Sequence, residues 1–245
     1  MTDKAYKLLA KQEGISNRAA KDLIDRGLVY SGGKKIALAR GEINTKAKFK
    51  VQKLEKPKKI FEDNKILAVE KPAHMTTQEV SKGVEAELLH RLDKETSGVL
   101  LFTKDEEFHK RAIEAFRNKE VYKEYIAIVQ GKLVESLSID KPIITIKKGN
   151  LFFSKTSKEG KVAITHIEPL MYEGKLSKVK VVIETGRTHQ IRAHLKSIKT
   201  PILGDTQYGA KAYKRVMLHA HKISLLGYNF VSDEPKEFIK CMQMH

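Results

Sequence analysis

The sequence predicts an α+β protein in two parts, and three observations predict it. Short apolar runs bounded by turn-forming residues recur along the chain, a strongly periodic helix stands among them, and a basic segment precedes a charged, proline-containing stretch. A chain of 245 residues with 41% hydrophobic composition holds one sizeable core with a small module beside it, or two modest domains. We place the domains at 1–56 and 57–245, with Leu54-Glu55-Lys56-Pro57-Lys58-Lys59 as the linker, because that stretch is charged, contains a proline and lacks periodicity.

Charge narrows the partners. The net charge is +17, from 47 Lys and Arg against 30 Asp and Glu. Residues 1–60 carry 16 basic and six acidic residues, so a surplus of ten sits in the first quarter. Such a surplus is the electrostatic footprint of a nucleic-acid binder, whose affinity comes largely from neutralising phosphates. An anionic membrane is the rival partner, but no strongly amphipathic helix with bulky apolar anchors accompanies the charge. No run approaches a membrane span, residues 1–20 lack the continuous apolar block of a signal peptide, and Cys241 is the only cysteine, which excludes an internal disulfide and a thiolate zinc site. We expect a cytoplasmic monomer.

Ala5, Leu8 and Leu9 stand at helical spacing in Lys4–Gln12, and after Gly14 a second helix starts at Ser16, an N-cap residue, with Ala20, Leu23 and Ile24 facing the core. Gly27 suits a helix C-terminus, and Leu28-Val29-Tyr30, Gly32-Gly33 and Lys35-Ile36 read as a hairpin. Arg18, Lys21, Lys34 and Lys35 remain for solvent. The run Ser16, Arg18, Ile24, Gly27, Val29, Gly33 and Ile36 resembles the pattern of the S4 RNA-binding domain, with Ser31 and Gly32 standing where that family commonly has valine and asparagine. The resemblance implies docking on structured RNA through shape and phosphate contacts, with Arg18, Lys21, Lys34 and Lys35 as the contacting cations.

Past the linker, Ile60-Phe61 and Ile66–Val69 flank Glu62–Lys65 as a hairpin that ends at Lys71-Pro72. Val99-Leu100-Leu101-Phe102 reads as a buried strand, so Asp93 lies in the loop that feeds an interior element. Asp105–Asn118 is the periodic helix, with Phe108, Ala112, Ala115 and Phe116 on one face. Val121–Val129 alternates as a strand. Ile143–Ile146, Lys161–Ile167 and Val179–Glu184 are further strands, separated by Gly149-Asn150, Glu159-Gly160 and Glu173-Gly174. Thr188 can cap a helix that buries Ile191 and Leu195 and leaves Arg192 beside that seam, where it is expected to find a carboxylate. His189 and His194 invite a zinc reading, but five residues apart they lie about 140° round a helix, and we expect no metal.

An Arg-x-Asp in a loop is ordinarily a surface ion pair. His90-Arg91-Leu92-Asp93 followed by Thr96-Ser97-Gly98 is more than that: it resembles the signature of the RluA-type pseudouridine synthases, in which the Asp is catalytic. Lys123-x-Tyr125-x-Ala127 with Gly131, and Gly186-Arg187-Thr188-His189-Gln190-Ile191-Arg192-x-His194, resemble that family's second and third motifs in the same order. Val69-x-Lys71-Pro72, Lys161-x-Ala163-x-Thr165, Pro201–Asp205, Tyr208-Gly209 and Leu218-His219-Ala220 also follow its wording. The short chain between Pro72 and His90 departs from it.

The resemblance implies a mixed, mainly antiparallel sheet flanked by helices, and an RNA isomerase that uses no cofactor. It makes Asp93 the catalytic carboxylate, either attacking C1′ as a nucleophile or assisting glycal formation, with Arg192 as its partner and Tyr125 against the uracil. It also implies that Arg91 fills the gap left by an extruded base and that Leu218 lines the base pocket. Ribosomal RNA is the expected substrate ahead of transfer RNA. The rival classes are an inactive S4-type RNA chaperone, which intact Asp93, Tyr125 and Arg192 oppose, and a methyltransferase or thiolase, for which the chain has neither a glycine-rich cofactor loop nor paired cysteines. Pro201–Asp205 reads on its own as turn and core chemistry, and His219 and His221 as structural.

Overall fold

The computed structural model describes residues 1–149 and 151–243, and the chain divides into two units, Met1–Lys56 and Pro57–His245. The first unit runs β1 (Thr2–Lys4), α1 (Ala5–Glu13), α2 (Asn17–Asp25), β2 (Val29–Ser31), β3 (Lys34–Lys35), β4 (Glu42–Asn44) and β5 (Phe49–Val51). Gly14 ends α1 in the left-handed conformation, and the Ser16 hydroxyl caps α2 by accepting from the Ala19 N–H at 3.1 Å. Leu9, Ala20, Ile24, Val29 and Phe49 form this unit's own core. β2 pairs antiparallel with both β3 and β5, and β1 with β4. The sequence reading missed β1, β4 and β5. Each is three residues long, too short to show a period, and each is held by a partner distant in sequence.

The second unit contains β6 (Lys58–Glu62), β7 (Ile66–Lys71), α3 (Thr77–Ser81), β8 (Glu87–Leu88), β9 (Ser97–Thr103), α4 (Glu106–Arg117) and β10 (Tyr122–Gln130). It continues with β11 (Leu137–Asp140), β12 (Ile143–Lys148), β13 (Leu151–Thr156), β14 (Ile164–Glu173) and β15 (Leu176–Ile183). α5 (Gln190–Ser197), β16 (Leu218–Leu225), β17 (Tyr228–Val231) and α6 (Lys236–Met242) complete it. Strand β6 begins at Lys58, so the linker is shorter than its composition suggested.

One large sheet runs β11-β14-β15-β10-β16-β9-β7-β6, with β17 beside β16 and β8 beside β9; β12 and β13 form a separate ribbon. All pairings are antiparallel except β9 with β16, which are parallel at Ser97↔His219 and Gly98↔Ala220. There the backbones come so close that a Cβ on Gly98, whose φ is +117°, would stand 2.1 Å from the Ala220 carbonyl oxygen. All seven residues of β9 are buried, as an interior strand covered on both faces requires. Ile66, Ala68, Val99 and Leu101 pack on Phe108, Ala112 and Ala115 of α4, while Leu67, Val69, Leu100 and Phe102 pack with Val80 of α3 on the other face. Helix α4 is capped by Asp105, whose carboxylate accepts from the Phe108 N–H at 2.6 Å.

Several boundaries differ from the sequence reading. The chain from Pro72 to His90 contains α3, started by a Thr76–Glu79 capping box, and the short β8. Strands β11 and β13 were not anticipated. Lys161 makes only an isolated bridge to Ile143, and β14 starts at Ile164 and runs on through Pro169, where a bulge before Met171 accommodates the missing N–H. Of the expected Gly149-Asn150 turn, Asn150 lies outside the described residues. Thr188 does not cap α5: the cap position is His189, with φ +52° and no side-chain capping bond. Among the described residues no helix is long and apolar enough to cross a membrane.

Candidate active site

Asp93 stands in a turn closed by the Thr96 N–H donating to the Asp93 carbonyl at 3.1 Å, and the chain on either side is tied down. The Leu92 N–H donates to the Thr77 hydroxyl at 3.1 Å, and that hydroxyl donates to the Leu92 carbonyl at 3.0 Å. Behind the turn, Lys71 is wholly buried, and its ammonium donates to the carbonyls of Met75 (2.7 Å), Pro72 (2.9 Å) and Lys94 (3.4 Å). Burial, and then the Arg215 guanidinium, draw its pKa down to about 7, while Glu95 and Asp93 pull it back. In the sequence, Lys71 shows as the end of a strand and as part of the Val69-x-Lys71-Pro72 wording. It anchors the loop that carries Asp93.

Arg192 is the second fixed point, and the structure gives it a closer partner than the Asp93 the sequence named. Its main partner is Asp205, not Asp93: Nε and Nη2 make a bidentate pair with the Asp205 carboxylate at 2.7 and 2.8 Å, and Nη2 also donates to Gln207 at 2.9 Å. Both members are buried, Arg192 at 2% and Asp205 at 1% exposure. The guanidinium carbon sits 4.9 Å from the Tyr208 ring centroid. The remaining nitrogen, Nη1, is buried without a hydrogen-bond partner and lies 3.6 Å from both Asp93 Oδ2 and Glu95 Oε2. Three of the guanidinium's five N–H donors are thus spent on Asp205 and Gln207, and the unfilled nitrogen faces Asp93 and Glu95. A buried arginine demands a carboxylate; the sequence marks Pro201–Asp205 as family wording and as turn and core chemistry, but no local period links it to α5, so the pairing with Arg192 was not legible.

The cavity beside Asp93, about 80 Å³, is lined by Arg91, Tyr125, His189, Arg192 and Leu218 among others. A wider cleft of about 530 Å³ also reaches Asp93, Arg91 and Tyr125 and extends along Phe116, Lys123 and Arg187. All five residues proposed from the three motifs and from Leu218 therefore meet at one place. Arg91 is exposed, and Leu218 is 3% exposed. Arg18 and Lys21 lie on α2, and Lys34 and Lys35 on β3, all in the first unit. Two of these four are not simply solvated: Lys21 holds its ammonium 4.3 Å from the centroid of the Tyr6 ring, and Lys35 is half-buried.

A family profile described as RNA pseudouridylate synthase matches residues 54–197. The chain belongs to this family. A protein of Helicobacter pylori (strain J99) called an uncharacterized RNA pseudouridine synthase is 53% identical over 240 residues, covering 96% of this chain and 99% of that one. The ribosomal large subunit pseudouridine synthase C of Rickettsia typhi is 37% identical over 188 residues, 68% of this chain and 62% of that one. The solved structure of human RNA pseudouridylate synthase domain containing 4 superposes with a TM-score of 0.64 at 23% identity, over 76% of this chain and 92% of that one, a likeness of fold. The protein is an RNA pseudouridine synthase, an isomerase acting on RNA, and its large, mostly antiparallel sheet with flanking helices is the fold of that family.

The electrostatics of this synthase follow from burial. The Asp93 carboxyl is raised above its ordinary value by desolvation, opposed by the charges of Arg192 and then Arg91. Burial also works against the charge on Arg192, but the Asp205 bonds, with Asp93 and Glu95, more than offset it, so the guanidinium stays charged. Tyr125 is raised by burial and by the Asp93 charge, so its phenol keeps its proton. His189, 3.9 Å from Asp93, has its pKa drawn down to about 4 by burial and then by Arg192, and is neutral. Its Nδ1 shares a 3.0 Å hydrogen bond with the Tyr208 hydroxyl.

The other motif residues are scaffolding. Gln190 donates to Ile164 and Thr165 and accepts from Thr185 and the Arg187 N–H, clamping the loop before α5 onto β14. His194 bonds Thr165 and the Lys141 carbonyl. Arg215 donates to Ser97 (2.7 Å) and the Leu218 carbonyl (2.9 Å), and Ser97 bonds His219 at 2.8 Å, which joins the starts of β9 and β16 behind the cavity. His219 Nε2 faces the Ser232 carbonyl, which can only accept, so Nε2 carries the proton and Nδ1 accepts from Ser97.

Proposed function

We propose that this synthase isomerises particular uridines in structured RNA, with Asp93 as the catalytic carboxylate and ribosomal RNA of the large subunit as the substrate. The observation that carries the reading is the placement of Asp93: its carboxylate borders a cavity shared with Tyr125, Leu218 and the one unfilled donor of a buried arginine. In the reaction the N1–C1′ bond breaks, the uracil turns, a C5–C1′ bond forms, the C5 hydrogen leaves as a proton and N1 gains one. The ionised Asp93 serves either by attacking C1′ or by assisting glycal formation; both routes need the same charged acid in the same place. Arg192 Nη1 steadies that charge, while Asp205 holds the rest of the guanidinium still.

The target nucleotide turns out of its stack at a cost of a few kcal/mol, and Arg91 fills the space left behind with its planar guanidinium. Tyr125 lies against the extruded uracil with its hydroxyl available for proton transfer at C5, and Leu218 covers the other face. The first unit acts as an S4-like RNA-binding module, with Arg18, Lys21, Lys34 and Lys35 against phosphates; its paired helices, its hairpin and its basic surplus support this. The ribosomal assignment is supported by the names of the Rickettsia relatives.

RNA carrying 5-³H-uridine tests the reading, since only isomerisation releases that tritium. Wild type is expected to release it, and Asp93→Asn to bind the same RNA and release none. Turnover by Asp93→Asn would remove this residue from the role. Mapping pseudouridines in total RNA with and without the gene identifies the target, and a gap outside the large ribosomal RNA would overturn that assignment.

A further inference from the structure

The wider cleft holds a cation that the chemistry at Asp93 does not use. Lys123 precedes Tyr125 by two residues on β10 and, like it, lines the cleft. It is 8% exposed, and its ammonium makes one long hydrogen bond, 3.3 Å, to the Glu184 carbonyl, and lies 5.9 Å from the centroid of the Phe116 ring. Among the described residues no carboxylate pairs with it. Glu184 turns its own carboxylate to His166 Nε2 at 2.9 Å and to Lys119 at 3.9 Å. His90, packed against Phe116, is neutral, its pKa drawn to about 4 by burial and then by Lys123 itself. Desolvation alone pulls the Lys123 pKa down to about 8, with no acid to restore it. A buried ammonium in this state weighs against folding, and an anion delivered by a ligand is what relieves it.

Further cations, Arg117, Lys119 and Arg187, line the same cleft. The Arg187 Nε is engaged by the Val162 carbonyl at 3.0 Å. The anion that RNA offers beside any nucleotide is its phosphodiester. We propose that Lys123, with Arg117 and Arg187, forms a phosphate subsite that holds the backbone next to the uridine seated at Asp93. This rests on the reading of the Asp93 cavity as the uridine site, and adds to it the side from which the strand enters.

The test uses the full chain and an unmodified transcript of large-subunit ribosomal RNA, with Lys123→Met and Lys123→Arg. Methionine fills a similar volume without the charge. Lys123→Met is expected to bind about tenfold more weakly at low salt, to lower the slope of log affinity against log salt by about one phosphate's worth, and to raise the melting midpoint; Lys123→Arg is expected to keep the wild-type slope. An unchanged slope and affinity in Lys123→Met overturn the subsite. A lower melting midpoint in that variant overturns it too, because the ammonium would then be holding the fold rather than awaiting an anion. Both readouts are independent of turnover, so a wild type that forms no pseudouridine sinks the catalytic reading alone.

Discussion

At the scale of single residues, the Asp93 carboxyl works against the fold that holds it. The pKa of Asp93 in the folded protein is raised, chiefly by burial and in spite of Arg192 and Arg91. A raised folded pKa means that the native state binds the proton more tightly than the unfolded chain does. The stability associated with the protonated acid is therefore present below the ordinary carboxylate pKa and lost as pH rises through the folded value. At pH 7 Asp93→Asn is expected to melt higher than wild type, with the gap closing as pH falls to about 3, where the wild-type acid is protonated as well. Calorimetry at the two pH values checks this, and an Asn variant that melts lower at pH 7 would show that the arginines outweigh desolvation. If Asp93 is the catalytic acid, the same shift places the acid limb of the rate profile above the ordinary carboxylate range. Asp93 was legible as the candidate acid from its nine-residue string. Its balance of desolvation against two guanidiniums was not, because burial is a property of the assembled loop.

At the scale of elements, the site is a junction of three segments locked from behind. Lys71 at the end of β7 holds the Asp93 turn by the Lys94 carbonyl, Gln190 holds the loop before α5, and Arg215 holds the starts of β9 and β16. The strongest lock is Arg192 of α5 with Asp205. Removing one partner leaves a buried charge unanswered, so Asp205→Asn is expected to lower the unfolding free energy by about 3–5 kcal/mol, read by urea titration, and to lower turnover because Arg192 is released toward Asp93. An Asp205→Asn protein with wild-type stability would mean that water or Gln207 suffices for the guanidinium. Strong periodicity made α4 readable to its caps, and a continuous apolar run did the same for β9. Strands β1, β4, β5 and β8, the positive φ of His189 and the pairing across Gly98 left no local trace, since partners distant in sequence decide each of them.

At the scale of the whole molecule, two units have separate cores, and the charge is unevenly shared between them. If the first unit supplies phosphate contacts, removing residues 1–56 is expected to weaken RNA binding and to flatten its salt dependence by several phosphates' worth, measured by titration at a series of salt concentrations. An unchanged slope would leave the basic surplus without a role in binding. The sequence by itself determined the family and the order in which Arg91, Asp93, Tyr125 and Arg192 stand along the chain, because these are covalent facts. The tertiary structure alone decided which partner each charge takes. Ion pairing in a buried site depends on distances between segments far apart in sequence, and only the folded sheet, by bringing the turn at Asp205 under α5, satisfies most of Arg192 there and leaves a single donor facing Asp93.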